Sequence, residues 1–280
     1  MPPALNRRHA LGGASARSLL LTVLGEFVLP ADGPVWTRSI LHTLGLLGVE
    51  EKAARQALAR TARDGWCDSE QVGRQVRWSL TPAGRRLLTE GAARIYSFGT
   101  GPARWDGQWL VLLVSVPEAR RSVRHRLRTR LSWAGFGSPD PGVWVSPHTA
   151  HEAEADAVLR ELGLHAGAMS FTARFAGIGQ ERAMVDRAWD LDALGLRYQQ
   201  FCETFGSIRP AAGDPTLAAQ ARLVHEWRQF VFLDPRLPAD LLPRRWPGTR
   251  AAALFHRTHD RWQDAAQARW SSLSGGNDPR

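Results

Sequence analysis

The chain has 280 residues, a formal net charge of +9 and a hydrophobic content of 44%. That length and apolar content suffice for two or three compact domains, which excludes an intrinsically disordered chain. The two cysteines, Cys67 and Cys202, form no CxxC pattern. This excludes a disulfide framework and a cysteine zinc site, and it fits a reducing cytoplasm.

An apolar run from Leu19 to Leu24 follows Arg7-Arg8 and briefly resembles an export signal. Glu26 interrupts the run and no small-residue cleavage site follows, so we interpret the run as the first helix of a folded domain. No stretch approaches the roughly 20 apolar residues that a membrane span requires. We therefore expect a soluble, cytoplasmic protein.

The next segment predicts two helices separated by a glycine turn. Thr37 to Leu46 is predicted to be the first helix, with Thr37 as its N-cap, and Gly48 supplies the break. The second helix is predicted from Glu51 to Asp64, with acidic residues at its start and Gly65 after its end. Both ends of the second helix are well marked.

The second helix divides into an apolar side and a basic side. The apolar side holds Ala54, Ala57, Leu58 and Thr61, and the basic side holds Lys52, Arg55, Gln56, Ala59, Arg60 and Arg63. A recognition helix needs this division, because one side packs while Arg and Gln reach base edges and phosphates in the major groove. An ordinary amphipathic helix with a solvated basic face shows the same division.

A hairpin after this helix favours the DNA-binding interpretation. We predict a strand at Trp66 to Asp68, a turn at Ser69 to Gly73, a strand at Gln75 to Leu80 and a helix from Pro82 to about Arg94. Arg74 and Arg77 would point outward and contact the DNA backbone. The whole segment is the pattern of a winged helix-turn-helix.

The middle of the chain predicts a β-α-β-α-β order. The predicted strands are Gln108 to Val116, Gly142 to Ser146 and Ala168 to Phe175, and the predicted helices are Glu118 to Trp133 and Ala150 to Leu162. This alternation favours a small α/β sandwich of the ferredoxin-like type. The chain as a whole is therefore expected to be an α+β protein.

Helical periodicity dominates beyond Glu181. The predicted helices are Ala183 to Leu194, Leu196 to Phe205, Leu217 to Phe232 and Arg250 to Arg269. Leu233 to Pro247 is too rich in proline for a helix and is predicted to be a rigid, packed connector. Ser271 to Arg280 is predicted to be disordered.

These patterns divide the chain into three domains and a tail. The predicted boundaries are 15–97 for the DNA-binding domain, 98–180 for the central ferredoxin-like domain, 181–270 for the helical C-terminal domain and 271–280 for the tail.

Several short motifs, in order along nearly the whole chain, resemble the PaaX-type family of bacterial repressors, which is named for control of phenylacetic acid degradation. They are Val35-Trp36, Arg55 to Trp66 (RQALARTARDGW), Gly73-Arg74 with Ser79-Leu80, Trp105 to Trp109 (WDGQW), Trp133 to Gly137 (WAGFG), Gly142 to Pro147 (GVWVSP), Phe232 to Pro238 (FLDPRLP) and Leu241 to Pro243 (LLP). Any one of these motifs alone is weak, and together they are specific.

The resemblance implies a fold and a mode of action. It implies a winged-helix domain, a central domain similar to the small CRISPR-associated nuclease of spacer integration, and a helical C-terminal domain. It also implies a homodimer on a palindromic operator, released when an acyl-CoA thioester such as phenylacetyl-CoA binds. The identity of the effector for this chain does not carry over.

A cluster of arginines between Glu118 and Asp140 has three interpretations. Its members are Arg120, Arg121, Arg124, Arg126, Arg128 and Arg130, and helical phase groups Arg120, Arg124 and Arg128. The cluster is a solvated helix face, a contact between domains or subunits, or a site for the phosphates of an acyl-CoA. Four tryptophans are candidates for lining an aryl ligand, although most tryptophans belong in the core: Trp105, Trp109, Trp133 and Trp144.

The sequence gives only weak evidence for a metal site or a catalytic site. His148 with His151 and His256 with His259 have i, i+3 spacing, but capping or surface histidines explain both pairs better than a metal site does. A metal-dependent nuclease on the central domain is an alternative, yet Val114 to Glu118 holds no Asp for the metal. We find no GxSxG, P-loop or dinucleotide motif and so predict no catalytic residue, metal or cofactor.

The sequence therefore predicts a DNA-binding transcriptional regulator, a repressor of a catabolic operon. In this prediction Arg55, Gln56 and Arg60 read bases, and Lys52, Arg63, Arg74 and Arg77 hold phosphates. A constitutive DNA-binding protein without an effector is the other alternative.

Overall fold

The computed structural model of the chain describes residues 15–99 and 105–275. The described residues form two compact units that do not follow the order of the chain. The first unit contains residues 15–98, 201–231 and 251–275, and the second contains 99, 105–200 and 232–250. Within the described ranges, no helix has both the length and the apolar character that crossing a bilayer requires.

The first unit begins with short helices and a small sheet. Its elements are α1 (Ala16–Val23), a π-helical segment (Leu24–Val28), α2 (Leu29–Ala31), β1 (Val35–Trp36), α3 (Thr37–Leu46), α4 (Glu51–Arg63), β2 (Cys67–Val72), β3 (Gln75–Leu80) and α5 (Pro82–Ser97). The predicted helices at 37–46 and 51–64 are confirmed to within one residue, and the helix predicted to end near Arg94 continues to Ser97.

The hairpin turn is shorter than the sequence predicts. The three strands have the order β1-β3-β2 and are antiparallel, and the β2–β3 register runs without interruption from Cys67↔Leu80 to Val72↔Gln75. The prediction of a turn over Ser69 to Gly73 is therefore wrong, because 69–72 pair with β3 and only Gly73 and Arg74 connect the strands. Gly73 has φ 60°, the conformation for which glycine is favoured in a two-residue hairpin turn.

The core of the first unit joins its N-terminal helices to two later helices. α1 and the π-helical segment bury Leu20, Leu24 and Phe27 together with Ile40 of α3 and Leu58 of α4. Helix α10 (Asp214–Leu233) adds Leu217, and helix α11 (Pro247–Gly275) adds Trp270, to the same cluster.

The last helix corrects one prediction. α11 extends to Gly275, so the expectation of disorder from Ser271 is wrong for residues 271–275, and the rest of that segment lies outside the described residues. The helix continues because Trp270 is buried, Leu273 packs against the same core, and the Ser39 hydroxyl donates a hydrogen bond of 2.9 Å to the Leu273 carbonyl.

The second unit contains a four-stranded antiparallel sheet. Its elements are β4 (Trp109–Val114), α6 (Arg121–Trp133), β5 (Gly137–Asp140), β6 (Val143–Ser146), α7 (Glu152–Glu161), β7 (Ala168–Ala173), α8 (Glu181–Ala188) and the first part of α9 (Leu191–Gly206). The strand order is β5-β6-β4-β7. This β-α-β-β-α-β order corrects the predicted β-α-β-α-β order by one strand, β5, and confirms the ferredoxin-like expectation.

The sheet separates two apolar clusters. Leu110, Leu112 and Trp144 face α6 and α7, whereas Trp109 and Val145 lie in a cluster with α8 and the connector after α10. That connector is irregular, with one 3-10 turn at Ala239–Leu241, and it buries Leu237 and Leu241, as the prediction of a packed connector requires.

The helix predicted over Ala183 to Leu194 is two helices, α8 and α9. Trp189 is extended between them, with φ −135° and ψ 141°, and the Asp190 carboxyl accepts a hydrogen bond of 3.0 Å from the Ala193 amide. A side chain that satisfies a free amide at a helix start favours a new helix there.

Candidate nucleic-acid interface

The two sides of α4 differ in burial as the sequence predicts. Ala54, Ala57, Leu58 and Thr61 are buried. Lys52, Arg55, Gln56, Ala59, Arg60 and Arg63 are exposed. The helix thus presents a basic, solvent-facing surface, which we call the α4 face, while its other side is fixed in the core.

The basic side chains of the α4 face differ in whether an acidic side chain forms an ion pair with them. Arg55 donates a hydrogen bond of 2.8 Å to Glu51 one turn earlier. Lys52, Arg60 and Arg63 form no ion pair with any residue in the described part of the chain. An exposed i, i+4 pair is weak, about 0.3–0.5 kcal/mol, so Arg55 can exchange Glu51 for a phosphate or a base at little cost.

The hairpin adds two more arginines. Arg77 on β3 donates a hydrogen bond of 2.8 Å to Glu70, its register partner on β2. This hydrogen bond, with the charge of Arg77, holds the pKa of Glu70 below its usual range. Arg74 is exposed in the turn. Arg77 is thus compensated in the free protein, whereas Arg74 has no ion-pair partner among the residues that are described.

The C-terminal end of α4 is held by α1. Arg17 forms an ion pair with Asp64, and its guanidinium lies 4.8 Å from the centroid of the Trp66 ring. Trp66 is buried at the start of the hairpin, and Gly65 before it has φ 75°. One side chain of α1 therefore contacts both the end of the helix and the beginning of the hairpin.

The hairpin is tied to the start of α3 by Thr37. The Thr37 hydroxyl donates to the Val76 carbonyl at 2.9 Å and accepts from the Trp78 indole N–H at 2.9 Å. The sequence predicts Thr37 as an N-cap, and this is wrong: Trp36 occupies that position and its side chain makes no capping bond. The hydroxyl positions the hairpin instead.

The other side of the hairpin is fixed by the start of α5. Thr81 caps α5, accepting from the Gly84 amide at 3.0 Å, and donates to the Gly65 carbonyl at 2.6 Å. Gly84 lies directly against the backbone of Trp66, where a Cβ atom would overlap the carbonyl oxygen. The hairpin and the α4 face therefore form one rigid assembly.

A buried polar network below this assembly was not predicted. Glu26, in the π-helical segment, accepts hydrogen bonds from the Tyr96 hydroxyl and, at 2.7 Å, from the Gln220 amide, and its Oε1 lies 3.0 Å from His259 Nε2. Gln267 donates to the Glu26 carbonyl at 2.6 Å. The sequence signal is a lone acidic residue in an apolar run; its partners are not adjacent in sequence.

A second network surrounds α1. His225 Nδ1 lies 3.1 Å from the Thr22 hydroxyl, and burial lowers the pKa of His225 to about 4. Arg228 donates to the Ser18 carbonyl at 2.8 Å and to Thr22 at 2.9 Å, and burial lowers the pKa of Arg228 to about 10. The first network connects the π-helical segment to α10, and the second connects α1, which packs against α4, to α10.

The four candidate tryptophans do not converge on one site. Trp105 and Trp109 pack edge to face with centroids 5.2 Å apart, and Trp109 stacks on Trp189 at 6.2 Å. Trp144 lies in the cluster on the opposite face of the sheet. Trp133 is half-buried at the end of α6. A single aryl pocket lined by all four is therefore not formed.

The arginine cluster lies along α6 and the 3-10 turn before it. Arg120, Arg124 and Arg128 are exposed, but Arg120 belongs to the turn, so the three do not share one helical phase. Arg124 donates to the Val116 carbonyl at 3.2 Å. Arg126 and Arg130 pair with Glu161, and the hydrogen bond from Arg130 holds the pKa of Glu161 below its usual range. Part of the cluster is thus structural.

The histidine pairs have structural partners. His148 donates through Nε2 to the Arg236 carbonyl at 2.8 Å, and His151 Nδ1 lies 3.4 Å from the Ser146 hydroxyl. Burial, more than the neighbouring His148, lowers the pKa of His151. Over residues 15–99 and 105–275, no three His, Cys, Asp or Glu side chains are grouped as a metal site would need.

Three family models match the chain in order. They are described as "PaaX-like protein" over residues 15–84, "PaaX protein central Cas2-like domain" over 102–185 and "PaaX-like protein C-terminal domain" over 189–272. The chain belongs to the PaaX family. The Transcriptional repressor PaaX of Escherichia coli (strain K12) is 31% identical over 274 residues, which cover 93% of this chain and 85% of the repressor.

A solved structure supports the fold of this PaaX-family chain. The uncharacterized protein Rv0674 from Mycobacterium tuberculosis matches with a TM-score of 0.61 and 23% identity, over 91% of this chain and 98% of that one. At this identity the likeness concerns the fold alone.

Proposed function

We propose that this PaaX-family chain is a transcriptional repressor that binds double-stranded DNA through a winged helix-turn-helix. In this proposal residues 15–97 are the DNA-binding domain, α3 and α4 are its helix-turn-helix, and the β2–β3 hairpin is the wing. The observation that carries it is the α4 face, whose basic side chains are exposed on a helix buried on its other side. The named Escherichia coli relative supports regulation over catalysis.

The side chains divide into two roles. Arg55, Gln56 and Arg60 would enter the major groove and hydrogen-bond to base edges, since Arg pairs with guanine and Gln with adenine. Lys52, Arg63, Arg74 and Arg77 would contact phosphates, which adds affinity that depends on salt. Arg55 and Arg77 exchange their carboxylate partners for DNA on binding.

Two copies of the chain would bind one operator. A dimer with a two-fold axis presents two α4 helices to half-sites about one helical turn apart, and it therefore favours a palindromic sequence. The remaining two proposed domains, 98–180 and 181–270, would provide dimerisation and effector binding. The protein would act in the cytoplasm, where its target is found.

We propose an acyl-CoA thioester such as phenylacetyl-CoA as the effector, and an aromatic-acid catabolic operon as the target. Exposed arginines bind phosphates well, which favours Arg120, Arg124 and Arg128 as contacts for the nucleotide part of the thioester. Trp133 is the aromatic candidate that remains, because it is half-buried at the end of the helix that carries Arg124 and Arg128. Trp105, Trp109 and Trp144 are core residues instead.

The test is binding of the purified chain to the DNA upstream of its own gene, by fluorescence anisotropy at fixed salt. We expect binding to that DNA at least about a thousand-fold tighter than to random DNA, released by one member of a panel of acyl-CoA thioesters. Equal affinity for random DNA would refute the repressor. Specific binding that no thioester affects would refute the effector and leave the DNA-binding function intact.

A further inference from the structure

The exposed surface of α4 carries one acidic side chain among its basic ones. Glu51 is the first residue of the helix and is exposed, and it lines one shallow surface depression together with Lys52, Arg55, Gln56 and Ala59. The N-terminal residues of a recognition helix are the ones that reach base edges. Glu51 therefore lies within the surface that is proposed to meet DNA, whose phosphates repel a carboxylate.

Glu51 is the partner of an arginine that is proposed to read a base. Arg55 Nε donates a hydrogen bond of 2.8 Å to Glu51 Oε1, and the side chains of Arg55 and Glu51 are 58% and 66% exposed. Exposed ion pairs of this kind are weak. The guanidinium therefore changes partner at little cost, and the groups that DNA offers determine whether it leaves Glu51.

Operator DNA and random DNA offer Arg55 different partners. A guanine at the matching position presents O6 and N7 to the guanidinium, and this bidentate pair is the commonest specific contact between a protein and a base. Random DNA offers mainly phosphates. Moving Arg55 to a phosphate leaves the Glu51 carboxylate unpaired beside the DNA backbone, so the two attractions offset one another and Arg55 stays with Glu51.

We propose that Glu51 is a specificity-determining residue, which retains Arg55 on random DNA and releases it to a base on the operator. This inference rests on the proposed function, because it concerns the contact of the same α4 face with DNA. Affinity that does not depend on sequence comes from phosphate contacts, and each basic side chain on a phosphate adds to it. Glu51 removes one such contact from the complex with random DNA and leaves base reading in place. The ratio of operator affinity to random affinity rises as a result.

Glu50 provides a matched control for Glu51. It directly precedes α4, it is exposed, and its side chain forms neither a capping hydrogen bond nor an ion pair with any residue that the structure describes. Glu50→Gln and Glu51→Gln therefore remove the same charge from the same end of the helix. Only Glu51→Gln also removes the charge that holds Arg55. A general effect of charge on DNA binding appears in both variants.

The first test compares these two variants of the full chain by fluorescence anisotropy, on random DNA and on the DNA upstream of the gene, over a range of salt concentrations. Relative to Glu50→Gln, Glu51→Gln should bind random DNA roughly five- to tenfold more tightly at about 0.1 M salt. The reason is one added phosphate contact, which steepens the slope of log K against log salt concentration by about 0.9.

On the upstream DNA, the same variant should gain about twofold at most, because only a weak exposed pair no longer has to break. The salt slope on that DNA should not change. The ratio of specific to random affinity should therefore fall roughly three- to fivefold. Equal changes for Glu50→Gln and Glu51→Gln on random DNA would overturn the proposal.

A second test removes the arginine. In an Arg55→Ala background, Glu51→Gln and Glu50→Gln should change the affinity for random DNA equally, because the side chain that Glu51 holds is gone. A difference that persists in this background would overturn the proposal. So would a loss of affinity for the upstream DNA in Glu51→Gln with one base pair relaxed, since it would show that the carboxylate itself accepts a hydrogen bond from cytosine N4. Circular dichroism and Tm check that each variant is folded.

Failure of the proposed function gives a different result. A wild type that binds upstream and random DNA equally would refute the repressor, and the role of Glu51 with it. A wild type that binds the upstream DNA specifically, with a ratio that Glu51→Gln does not lower, would refute only the role of Glu51.

Discussion

Two glycines of α5 provide a matched pair of substitutions with opposite expected effects. Gly84 is in the first turn of the helix, and Gly91 is two turns later. A Cβ atom at Gly84 would overlap the Trp66 carbonyl oxygen and lie 2.8 Å from the carbonyl carbon, whereas a Cβ atom at Gly91 would have no atom within 4 Å. Gly84→Ala should therefore destabilise the protein, and Gly91→Ala should stabilise it.

The magnitudes follow from the geometry. The clash at Gly84 is with backbone, which no side-chain rotation relieves, so the cost is at the upper end of overpacking, about 3 kcal/mol. The gain in helix propensity from glycine to alanine offsets roughly 0.5–1 kcal/mol of it. The net loss of about 2 kcal/mol should lower Tm by roughly 4–8 °C, and Gly91→Ala should raise Tm by roughly 1–4 °C.

The assay is thermal unfolding followed by circular dichroism, with both variants and the wild type at one protein concentration. Because Trp66 begins the hairpin, Gly84→Ala should also weaken DNA binding, while Gly91→Ala should leave it unchanged. Equal melting temperatures for the two variants, or a stabilised Gly84→Ala, would refute the close packing of α5 on the hairpin.

Three further predictions concern buried groups and the hairpin. Glu26→Ala leaves Tyr96, Gln220 and His259 without their hydrogen-bond partner, and it should lower the free energy of unfolding in urea by about 3–5 kcal/mol. Glu90→Ala, on the exposed side of α5, should change that free energy by less than about 0.5 kcal/mol. Equal losses would show that the network is not stabilising. The pKa of His225 is about 4 in the folded protein, whereas the ordinary value for histidine is 6.5. As the pH falls, the unfolded chain therefore binds the proton first, and stability decreases between about pH 6.5 and 4. Between pH 7 and 5 the protonation of His225 in the unfolded chain lowers the free energy of unfolding by about 2 kcal/mol. His225→Asn should therefore make the fall in Tm over this pH range smaller. An unchanged fall in Tm would contradict the low pKa of His225 in the folded protein. Arg74→Ala should reduce the slope of log K against log salt concentration for DNA binding by about 1. Arg257→Ala, whose side chain is exposed on α11, should leave the slope unchanged. An unchanged slope for Arg74→Ala would show that Arg74 does not contact the DNA backbone.

Local periodicity predicted the α4 face correctly. The buried positions Ala54, Leu58 and Thr61 recur at helical spacing, and the basic residues occupy the intervening positions. This works because a helix with one buried side needs little information from the rest of the chain. The core strand at Trp109–Val114 was predicted for a similar reason, since a continuous apolar run is typical of a strand in the centre of a sheet.

Strand β5 was missed because its sequence, GSPD, contains glycine, proline and aspartate, which are all rare in strands. Its pairing with β6 and the packing of Trp189 on Gly137 determine its conformation, and neither is visible locally. The extra length of β2 was missed likewise: Ser69 to Gln71 are polar and exposed, and only their register with β3 makes them a strand.

The polar network at Glu26 lay beyond prediction from the sequence. Its contacts join residues 194 and 233 positions apart, and a lone acidic residue in a helix has many possible partners. The tryptophans show the same limit. Composition suggested an aromatic pocket, but strand alternation and tertiary packing place Trp109 and Trp144 on opposite faces of the sheet.

Arg60 gives the most direct test of the proposal that α4 reads DNA. Its side chain is exposed on the α4 face and forms no ion pair with the described residues, so Arg60→Ala should leave folding intact. On the operator, the variant should lose about 1–3 kcal/mol of binding free energy and tolerate substitution at one base pair that the wild type does not tolerate. An equal loss on operator and random DNA, with no relaxed position, would contradict base reading by Arg60.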